Sequence, residues 1–436
     1  MSMNRRDFLK AGAMVTVLPG LKIGMVQAGN VAAGEADILV QVFLRGAIDS
    51  LNFLPPITGV NRTNYESLRP NLQVPLGSIL PINGVSDFGL HPAASSLQTL
   101  FNTNKLAIIQ ACGLPVANRS HFDAQAYMDL GTPGNINTVD GWMTRHFEYS
   151  PNLTPDSLVP SLSAGWYTSV SHLNDPGTLT LAYPSSFDLN RASWQWENQQ
   201  KSALGDYFTG DTTTDQAGTQ ALNAIDIVQA QDFDAGPDYP QGELGDFLKI
   251  ISVMIKADVG LQVATADYGG WDSHQGQGVV ATDDFFYRHV EHLSDSLKAF
   301  YDDLENDTQN PGWADRVTVV INTEFGRRAY ENEDAGTDHG YGFAMMVLGN
   351  NVNGGMYGTF PGLAQNELFE NDDLDVTTDY RQILSEVLIR RMGNNKLGWV
   401  FPGYTNYTPM GIVQGVDMVP DYNLVETIFA NDFESV

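Results

Sequence analysis

The sequence predicts an α/β protein built on a doubly wound, mostly parallel sheet with helices on both faces. Two features of the chain lead to this prediction. Short apolar runs rich in β-branched residues recur along the sequence, each bounded by glycine or polar residues, as is typical of strands buried on both faces of a parallel sheet. Stretches with helical periodicity lie between them, and this alternation indicates a doubly wound fold.

Five segments have the pattern of buried core strands. The first of them reads ILVQVFL and is followed by a glycine turn. The predicted strands are 38–44, 105–112, 260–266, 316–323 and 343–348. Because parallel strands end at the same edge of a sheet, we expect ligand-binding residues to gather at the carboxyl ends of these strands.

Five further segments have the spacing of amphipathic helices. The stretch 121–130 follows Ser120, a residue type that often caps a helix N-terminus. The other predicted helices are 92–102, 244–256, 283–304 and 379–392. Their apolar residues recur every three or four positions, so each helix is expected to pack one face against the sheet.

The segment 151–242 interrupts this alternation. It is rich in Ser, Thr, Asp, Gln, Trp and Tyr and contains few strand-like runs, and its part 209–240 has the composition of an exposed loop or a loosely structured cap. We therefore expect one domain over 34–436, in which 151–242 is an inserted cap region over the site.

The N-terminus, 1–33, has the pattern of a twin-arginine export signal. Arg5 and Arg6 precede an apolar stretch over 11–20, and small residues over 28–33 suit a signal peptidase. The apolar stretch is short and is interrupted by Pro19, so we expect no stable membrane insertion. The twin-arginine export machinery is thus a predicted partner, and the predicted location is the periplasm or the extracellular medium.

Composition narrows the classes of partner. The chain carries a formal net charge of −29, which argues against binding to nucleic acid or to anionic lipid. Cys112 is the only cysteine, so no internal disulfide bond can form. Stability is expected to come from the apolar core and from bound metal.

Candidate metal ligands follow or precede several predicted strands. Three short segments, 270–274 (GWDSH), 323–327 (TEFGR) and 337–340 (TDHG), set a carboxylate, two of them with a histidine, beside glycine. Carboxylate oxygen and imidazole nitrogen are the usual ligands of zinc, manganese and similar ions. With an aspartate after the first strand, the candidate ligands are Asp49, Asp272, His274, Glu324, Asp338 and His339. Six ligands suit two divalent ions, or one ion with an outer layer of supporting groups.

Several of these residues also have an ordinary structural interpretation. Asp49 could cap the helix that follows it, and Glu324 could form a buried ion pair with Arg327 or Arg328. Five of the eight histidines are expected to be structural: His91, His146, His172, His289 and His292.

Ser120 is the candidate nucleophile. A serine at a helix N-terminus gains from the positive end of the helix dipole, and a nearby metal ion could lower the pKa of its hydroxyl. The alternatives are a plain helix cap and an attacking water. Arg119 or Arg145 could bind the oxygens of an anionic ester, because a guanidinium group binds such oxygens in a bidentate manner.

The order of these motifs resembles a family of exported bacterial proteins of unknown function within the alkaline phosphatase and sulfatase superfamily. The segments that carry the resemblance are 44–52 (LRGAIDSLN), 119–125 (RSHFDAQ), 270–274, 323–327 and 336–340 (GTDHG). The resemblance spans nearly the whole chain after the signal. It implies an alkaline-phosphatase-like α/β fold with a two-metal hydrolase centre.

The resemblance also assigns roles to single residues. Asp49 resembles the first-strand aspartate of the superfamily, Asp272 and His274 resemble its Asp-x-x-x-His pair with a shorter spacing, and His339 resembles its late histidine ligand. Glu324 stands where many members have an Asp-His pair, and Ser120 matches the nucleophile by its order in the chain. Neither Cys112 nor Ser120 is followed by x-Pro-x-Arg, so a formylglycine sulfatase is not expected.

Together these features predict an exported, metal-dependent hydrolase of phosphate or sulfate esters. The expected cofactor is a pair of divalent ions, zinc or manganese before magnesium or calcium. The expected substrate is a small anionic ester or one linked to a polysaccharide. The alternative is a non-catalytic envelope or surface-assembly protein that keeps the fold and a structural metal.

The export signal can be tested by substitution. Replacing Arg5 and Arg6 together by lysine should leave the precursor in the cytoplasm, because the paired arginines are the feature that defines this class of signal. Cell fractionation followed by immunoblotting measures the outcome. Undiminished export of the double variant would show that the signal is misidentified.

Overall fold

The computed structural model describes residues 36–150, 157–189 and 195–423. The predicted signal at 1–33 lies outside the described residues. None of the helices in the described ranges combines the length and the apolar character needed to span a bilayer.

A nine-stranded sheet forms the centre of the molecule. Its strands are β1 (Ile38–Leu44), β2 (Leu106–Gly113), β3 (Ser161–Ala164), β4 (Thr178–Leu181), β5 (Val263–Tyr268), β6 (Val317–Asn322), β7 (Phe343–Leu348), β8 (Gly355–Tyr357) and β9 (Thr378–Asp379). They are ordered β8-β2-β7-β6-β1-β5-β3-β4, and β9 also pairs with β2. All pairs are parallel except those of β7, which runs antiparallel to β2 and to β6. The predicted mostly parallel sheet is confirmed.

Helices surround the sheet. They are α1 (Gly59–Leu68), α2 (Ser95–Asn102), α3 (His121–Leu130), α4 (Trp142–Tyr149), α5 (Glu197–Tyr207), α6 (Thr213–Gln229), α7 (Glu243–Lys256), α8 (Phe285–Glu305) and α9 (Tyr380–Arg390). Single helical turns occur at Ser50–Phe53, Leu76–Ser78, Val170–His172, Pro184–Ser186, Trp313–Arg316 and Leu397–Val400, and a small hairpin pairs Leu80–Pro81 with Gly89–Leu90.

Both faces of the sheet are covered by helices, as β1 illustrates. Val40 and Val42 pack into an apolar cluster with α2, α7 and α8. Leu39 and Phe43 point to the opposite face, into a cluster with α3, α4 and α9. Since successive side chains of a strand point to opposite faces, an unbroken apolar run is what a strand between two helical layers requires.

The segment 151–242 differs from its prediction in two respects. It contributes β3 and β4 to the main sheet, and α6 lies where an exposed loop was predicted. The strands lack an apolar run because Ser161 and Ser163 are buried and hydrogen-bonded to neighbouring side chains. Helix α6 starts at a capping box in which Thr212 and Asp215 bond each other's backbone. The division into a domain and a cap stays a prediction.

Strand direction brings five chain segments to one edge of the sheet. β6, β1 and β5 are adjacent and parallel, so the loops that follow them meet there. β7 runs the opposite way between β6 and β2, which brings the turn before β7 and the loop after β2 to the same edge. The six candidate ligands lie in four of these segments, and the loop after β2 carries Arg119 and Ser120.

Two buried histidines make the stability of the fold depend on pH. Burial lowers the pKa of His146 to about 4 and that of His172 to about 3, and the Nε2 atom of each has no hydrogen-bond partner among the described residues. Each histidine is therefore neutral when folded but takes up a proton when unfolded, once the pH falls below about 6.5.

We expect the free energy of unfolding to be highest above pH 6.5 and to fall between pH 6.5 and 4. The loss should approach roughly 1.4 kcal/mol per pH unit for each histidine. Urea unfolding of the wild type and of His172→Gln at pH 7, 6 and 5 measures it. The variant should show a shallower dependence on pH, and equal slopes would contradict the assignment.

Candidate metal centre

Four side chains converge at this edge of the sheet. The Nε2 atoms of His274 and His339 lie 2.9 Å apart, and each is 3.1 Å from Asp272 Oδ1. His121 Nε2 lies 3.4 Å from Asp272 Oδ2. Among the residues that the structure describes, the group His121, Asp272 and His339 can offer ligand atoms to one ion.

Hydrogen bonds on the far side of each imidazole determine its tautomer. Nδ1 of His339 lies 2.8 Å from the backbone oxygen of Arg119, which can only accept, so this nitrogen carries the proton. Nδ1 of His274 faces Asp338 Oδ1 at 2.9 Å, and Nδ1 of His121 faces Glu324 Oε1 at 2.7 Å. With neutral imidazoles, all three Nε2 atoms present lone pairs to the centre of the cluster.

This arrangement calls for a cation. Two nitrogen lone pairs that face each other at 2.9 Å repel unless a proton or a metal ion lies with them, and His121 Nε2 is buried without a hydrogen-bond partner among the described residues. Histidine ligands of metals typically donate their other N–H to a carboxylate or a backbone carbonyl, as all three do here. The donor set of three nitrogens and one carboxylate fits zinc.

Arg327 anchors the loops that carry the cluster. Its buried guanidinium donates to the backbone oxygens of Ala47 and Thr337, both at 2.9 Å, and to Asp272 Oδ1 at 2.5 Å. It also bonds the backbone oxygens of Gly46 and Trp271. Partial burial opposes ionisation of Asp272, but the hydrogen bond and the charge of Arg327, together with His339 and His274, outweigh it and lower the pKa of Asp272 to about 2.

Glu324 lies one step behind the cluster. It is fully buried and accepts from the backbone N–H of Gly46 at 2.8 Å, from Gln125 Nε2 at 2.8 Å and from His121. Burial opposes its ionisation, but these bonds lower its pKa below the usual value. The bond to Glu324 in turn raises the pKa of His121. The structure thus places Glu324 as the group that orients His121, where the sequence predicted a direct ligand.

The other two carboxylates predicted as ligands, Asp338 and Asp49, also bond to groups outside the centre of the cluster. Asp338 supports His274 through the bond to its Nδ1, on the side away from the other imidazoles. Asp49 is buried apart from the cluster, where it pairs with Arg69 Nη1 at 2.6 Å and accepts from Gln277 Nε2 at 2.7 Å. It also caps Ser50–Phe53. We therefore replace the prediction of Asp49 as a ligand by a buried ion pair. Of the six predicted ligands, Asp272, His274 and His339 come together.

The three residues predicted to act on substrate lie in different surroundings. Ser120 caps α3, and its Oγ accepts from the backbone N–H of Asp123 at 3.4 Å. Arg119 is partly exposed and donates to Asp373 Oδ2 from Nε at 2.9 Å. Arg145 is buried and donates to backbone oxygens, among them that of Val400. Burial lowers its pKa to about 10. Arg145 is thus a structural residue, and its predicted role as an anion clamp is withdrawn.

Two residues of the site, His121 and Arg327, were not predicted as site residues. His121 stands next to Ser120 in the RSHFD motif, where Arg119 and Ser120 were the predicted site residues. Arg327 was considered only as a partner of Glu324, whereas its bonds go to Asp272 and to four backbone oxygens. The sequence does carry a signal for His121, because a histidine stands at the first position of a predicted helix that follows a core strand.

Comparisons with known proteins leave the reaction open. A model for a family described as a protein of unknown function (DUF1501) matches residues 249–396. No curated protein sequence matches the chain.

Similar solved structures include a protein of the alkaline phosphatase superfamily from Vibrio parahaemolyticus, with 8% identity over 83% of this chain and 73% of that one and a TM-score of 0.31. The C-terminal periplasmic domain of EcEptC from Escherichia coli aligns with 9% identity over 88% and 94% of the two chains, at a TM-score of 0.34. A third structure, Ps i-CgsB in complex with k-i-k-neocarrahexaose, aligns with 8% identity over 81% and 71%, at a TM-score of 0.36. At TM-scores this low, the alignments identify neither a substrate nor a reaction for this chain.

Zinc binding distinguishes the residues of the cluster from those behind it. His121→Ala and His339→Ala should abolish tight zinc binding to the metal-free protein in isothermal titration calorimetry. Glu324→Gln should weaken binding by roughly 10–100-fold, as loss of an outer hydrogen bond does. Asp49→Asn should leave zinc affinity unchanged while lowering stability, because it breaks a buried ion pair.

His292→Gln is the matched control, since His292 is a half-buried histidine of α8 outside the cluster. Zinc affinity equal to wild type in His121→Ala, or lost in Asp49→Asn, would contradict this assignment of roles.

Proposed function

We propose that the chain is an exported, metal-dependent hydrolase of phosphate or sulfate esters. The observation that carries the proposal is the convergence of three imidazole Nε2 atoms and the Asp272 carboxylate at the carboxyl edge of a mostly parallel sheet. Ligands of such sheets bind at this edge. Structural zinc sites are closed off by their protein ligands, whereas the side chain of Asp272 is 45% exposed here.

His121, Asp272, His274 and His339 would hold the ion. When bound, a divalent ion supplies a Lewis acid for an ester oxygen. The charges of Asp338 and Glu324 behind two of the imidazoles raise the basicity of the ligands and fix their orientation. The two ions expected from the sequence stay a prediction, because the four converging side chains suit a single ion.

Two partly exposed arginines, Arg119 and Arg328, are the proposed partners of the oxygens of an anionic ester. Arg119 directly precedes Ser120, and its backbone oxygen bonds His339. Arg328 directly follows Arg327, and its Nε has no hydrogen-bond partner among the described residues. Both guanidinium groups lie against one acidic turn, where Arg119 pairs with Asp373 and Arg328 lies 3.5 Å from Asp372.

Ser120 is the proposed nucleophile. It adjoins His121, and the N-terminus of α3 favours a developing negative charge on its oxygen. Its hydroxyl accepts a bond from the helix backbone, so it would have to leave the cap to attack. An attacking water is the competing possibility within the same function.

The alternative of a non-catalytic envelope or surface-assembly protein rests on a specific observation. Ser120 and Arg119 already have structural partners, a helix cap and an ion pair with Asp373. A protein that only retained the fold and a structural metal would keep these bonds permanently.

Hydrolysis of aryl phosphate and aryl sulfate esters by protein loaded with zinc or manganese tests the proposal. Wild-type turnover should be lost on chelation and restored by metal. Ser120→Ala should lower kcat by roughly three orders of magnitude or more with unchanged metal content. Unchanged turnover in this variant would make water the nucleophile. Absence of hydrolysis by the metal-loaded wild type, for both ester classes, would favour the non-catalytic alternative.

A further inference from the structure

Three aromatic residues lie at or just after the ends of three neighbouring strands, at the edge of the sheet that carries the metal centre. In the strand register, Ala164 of β3 lies opposite Leu181 of β4 and opposite Ala266 of β5. Trp166, Tyr183 and Tyr268 each lie two residues further along their own chain segment. We call these three residues the aromatic row.

The outer part of the aromatic row is exposed and held in place. Trp166 is 51% exposed and Tyr183 is 55% exposed, and their rings meet edge to face with centroids 4.6 Å apart. The indole N–H of Trp166 donates to Glu243 Oε1 at 3.1 Å. Exposed large aromatic side chains that are fixed in position mark interaction sites more often than chance exposure does.

The aromatic row leads to the metal centre. Tyr268 packs edge to face on Trp271, with ring centroids 5.5 Å apart. Trp271 is buried, and the next residue is Asp272 of the cluster. Tyr268 also stacks on His289, with ring centroids 5.7 Å apart. A ligand on Trp166 and Tyr183 that extends past Tyr268 would therefore point towards the loop that carries Asp272.

The chemistry of the aromatic row fits a neutral sugar chain. The C–H faces of sugar rings pack on aromatic rings, and their hydroxyl groups bond to carboxylates and hydroxyls. Groups of both kinds occur at the row. The carboxylate of Glu243 accepts a bond from Trp166, and the hydroxyl groups of Thr168 and Thr180, near Trp166 and Tyr183 in sequence, bond to each other. The guanidinium of Arg45, which follows β1 next to β5, is already paired with Asp129 and Asp267. The local charge thus favours a neutral polyol over a polyanion.

We propose that the aromatic row is a saccharide-binding subsite, which places the ester group of a glycan at the metal centre. The role of the ester rests on the proposed function, whereas saccharide binding by the row does not. The substrate class becomes an ester-bearing glycan whose sugar rings next to the ester are neutral.

Binding to a glycan array followed by titration tests the subsite without relying on hydrolysis. Wild-type protein should bind to immobilised neutral oligosaccharides on the array. The best-bound neutral hexasaccharide should quench or shift the tryptophan fluorescence in titration. Trp166→Ala should raise the Kd for this hexasaccharide by about tenfold or more, because a tenfold change corresponds to the loss of one well-packed aromatic contact. Trp166→Phe should recover much of the affinity, because it keeps an aromatic face.

Tyr207→Ala is the matched control, since Tyr207 is 55% exposed on α5 and lies outside the aromatic row. It should bind the hexasaccharide as the wild type does, and thermal melting should show that all variants are folded. Failure of the wild type to retain any glycan, or equal Kd values for Trp166→Ala and the wild type, would overturn the proposal. Glycan binding that depends on Trp166 in a protein that hydrolyses no ester would refute the proposed function and leave the subsite standing.

Discussion

The candidate site depends on one buried guanidinium group. Arg327 joins the turn after β1, the loop after β5 and the turn before β7 through backbone oxygens and Asp272. A buried charge is tolerated only when its hydrogen-bonding groups are satisfied, and the rigid five-donor fork of arginine can satisfy acceptors on three segments at once. Lysine has a single charged nitrogen and could not reach all of them. The position of Asp272 is thus set by backbone far from it in sequence.

Close backbone approach is the second requirement of this arrangement. Gly46 has a φ of +114°, and a Cβ atom there would lie 2.6 Å from the backbone nitrogen of Asp272. The same glycine donates its N–H to Glu324, which orients His121. A larger residue at this position would therefore disturb both halves of the cluster, the carboxylate through contact and the imidazole through its supporting bond.

The sequence predicted those parts of the molecule that apolar patterns and local composition determine. Strand β1 was placed correctly because both faces of the sheet need apolar side chains there. Strands β3 and β4 were missed because buried serines whose hydroxyl groups are satisfied by hydrogen bonds leave no apolar run. In the site, Asp272 and His339 could be found from their glycine-rich turns. Some carboxylates face the cluster, as Asp272 does, and others pair with a buried arginine elsewhere, as Asp49 does. Which of the two occurs depends on long-range contacts that one sequence does not display.

Electrostatics around the centre make the affinity for an anionic ester depend on the ion. The arginines of this edge are matched by carboxylates: Arg327 by Asp272, Arg119 by Asp373 and Arg45 by Asp129. In a chain of net charge −29, these pairs leave little free positive potential for a phosphate or a sulfate group. Arg327 balances Asp272, but the charges of Glu324 and Asp338 behind the imidazoles have no such partner at the centre. A divalent ion held by His121, His274, His339 and Asp272 would add two positive charges and offset them. An anionic ester would therefore meet net negative charge at the centre until the ion is bound, while neutral contacts along the aromatic row would contribute affinity that does not depend on charge.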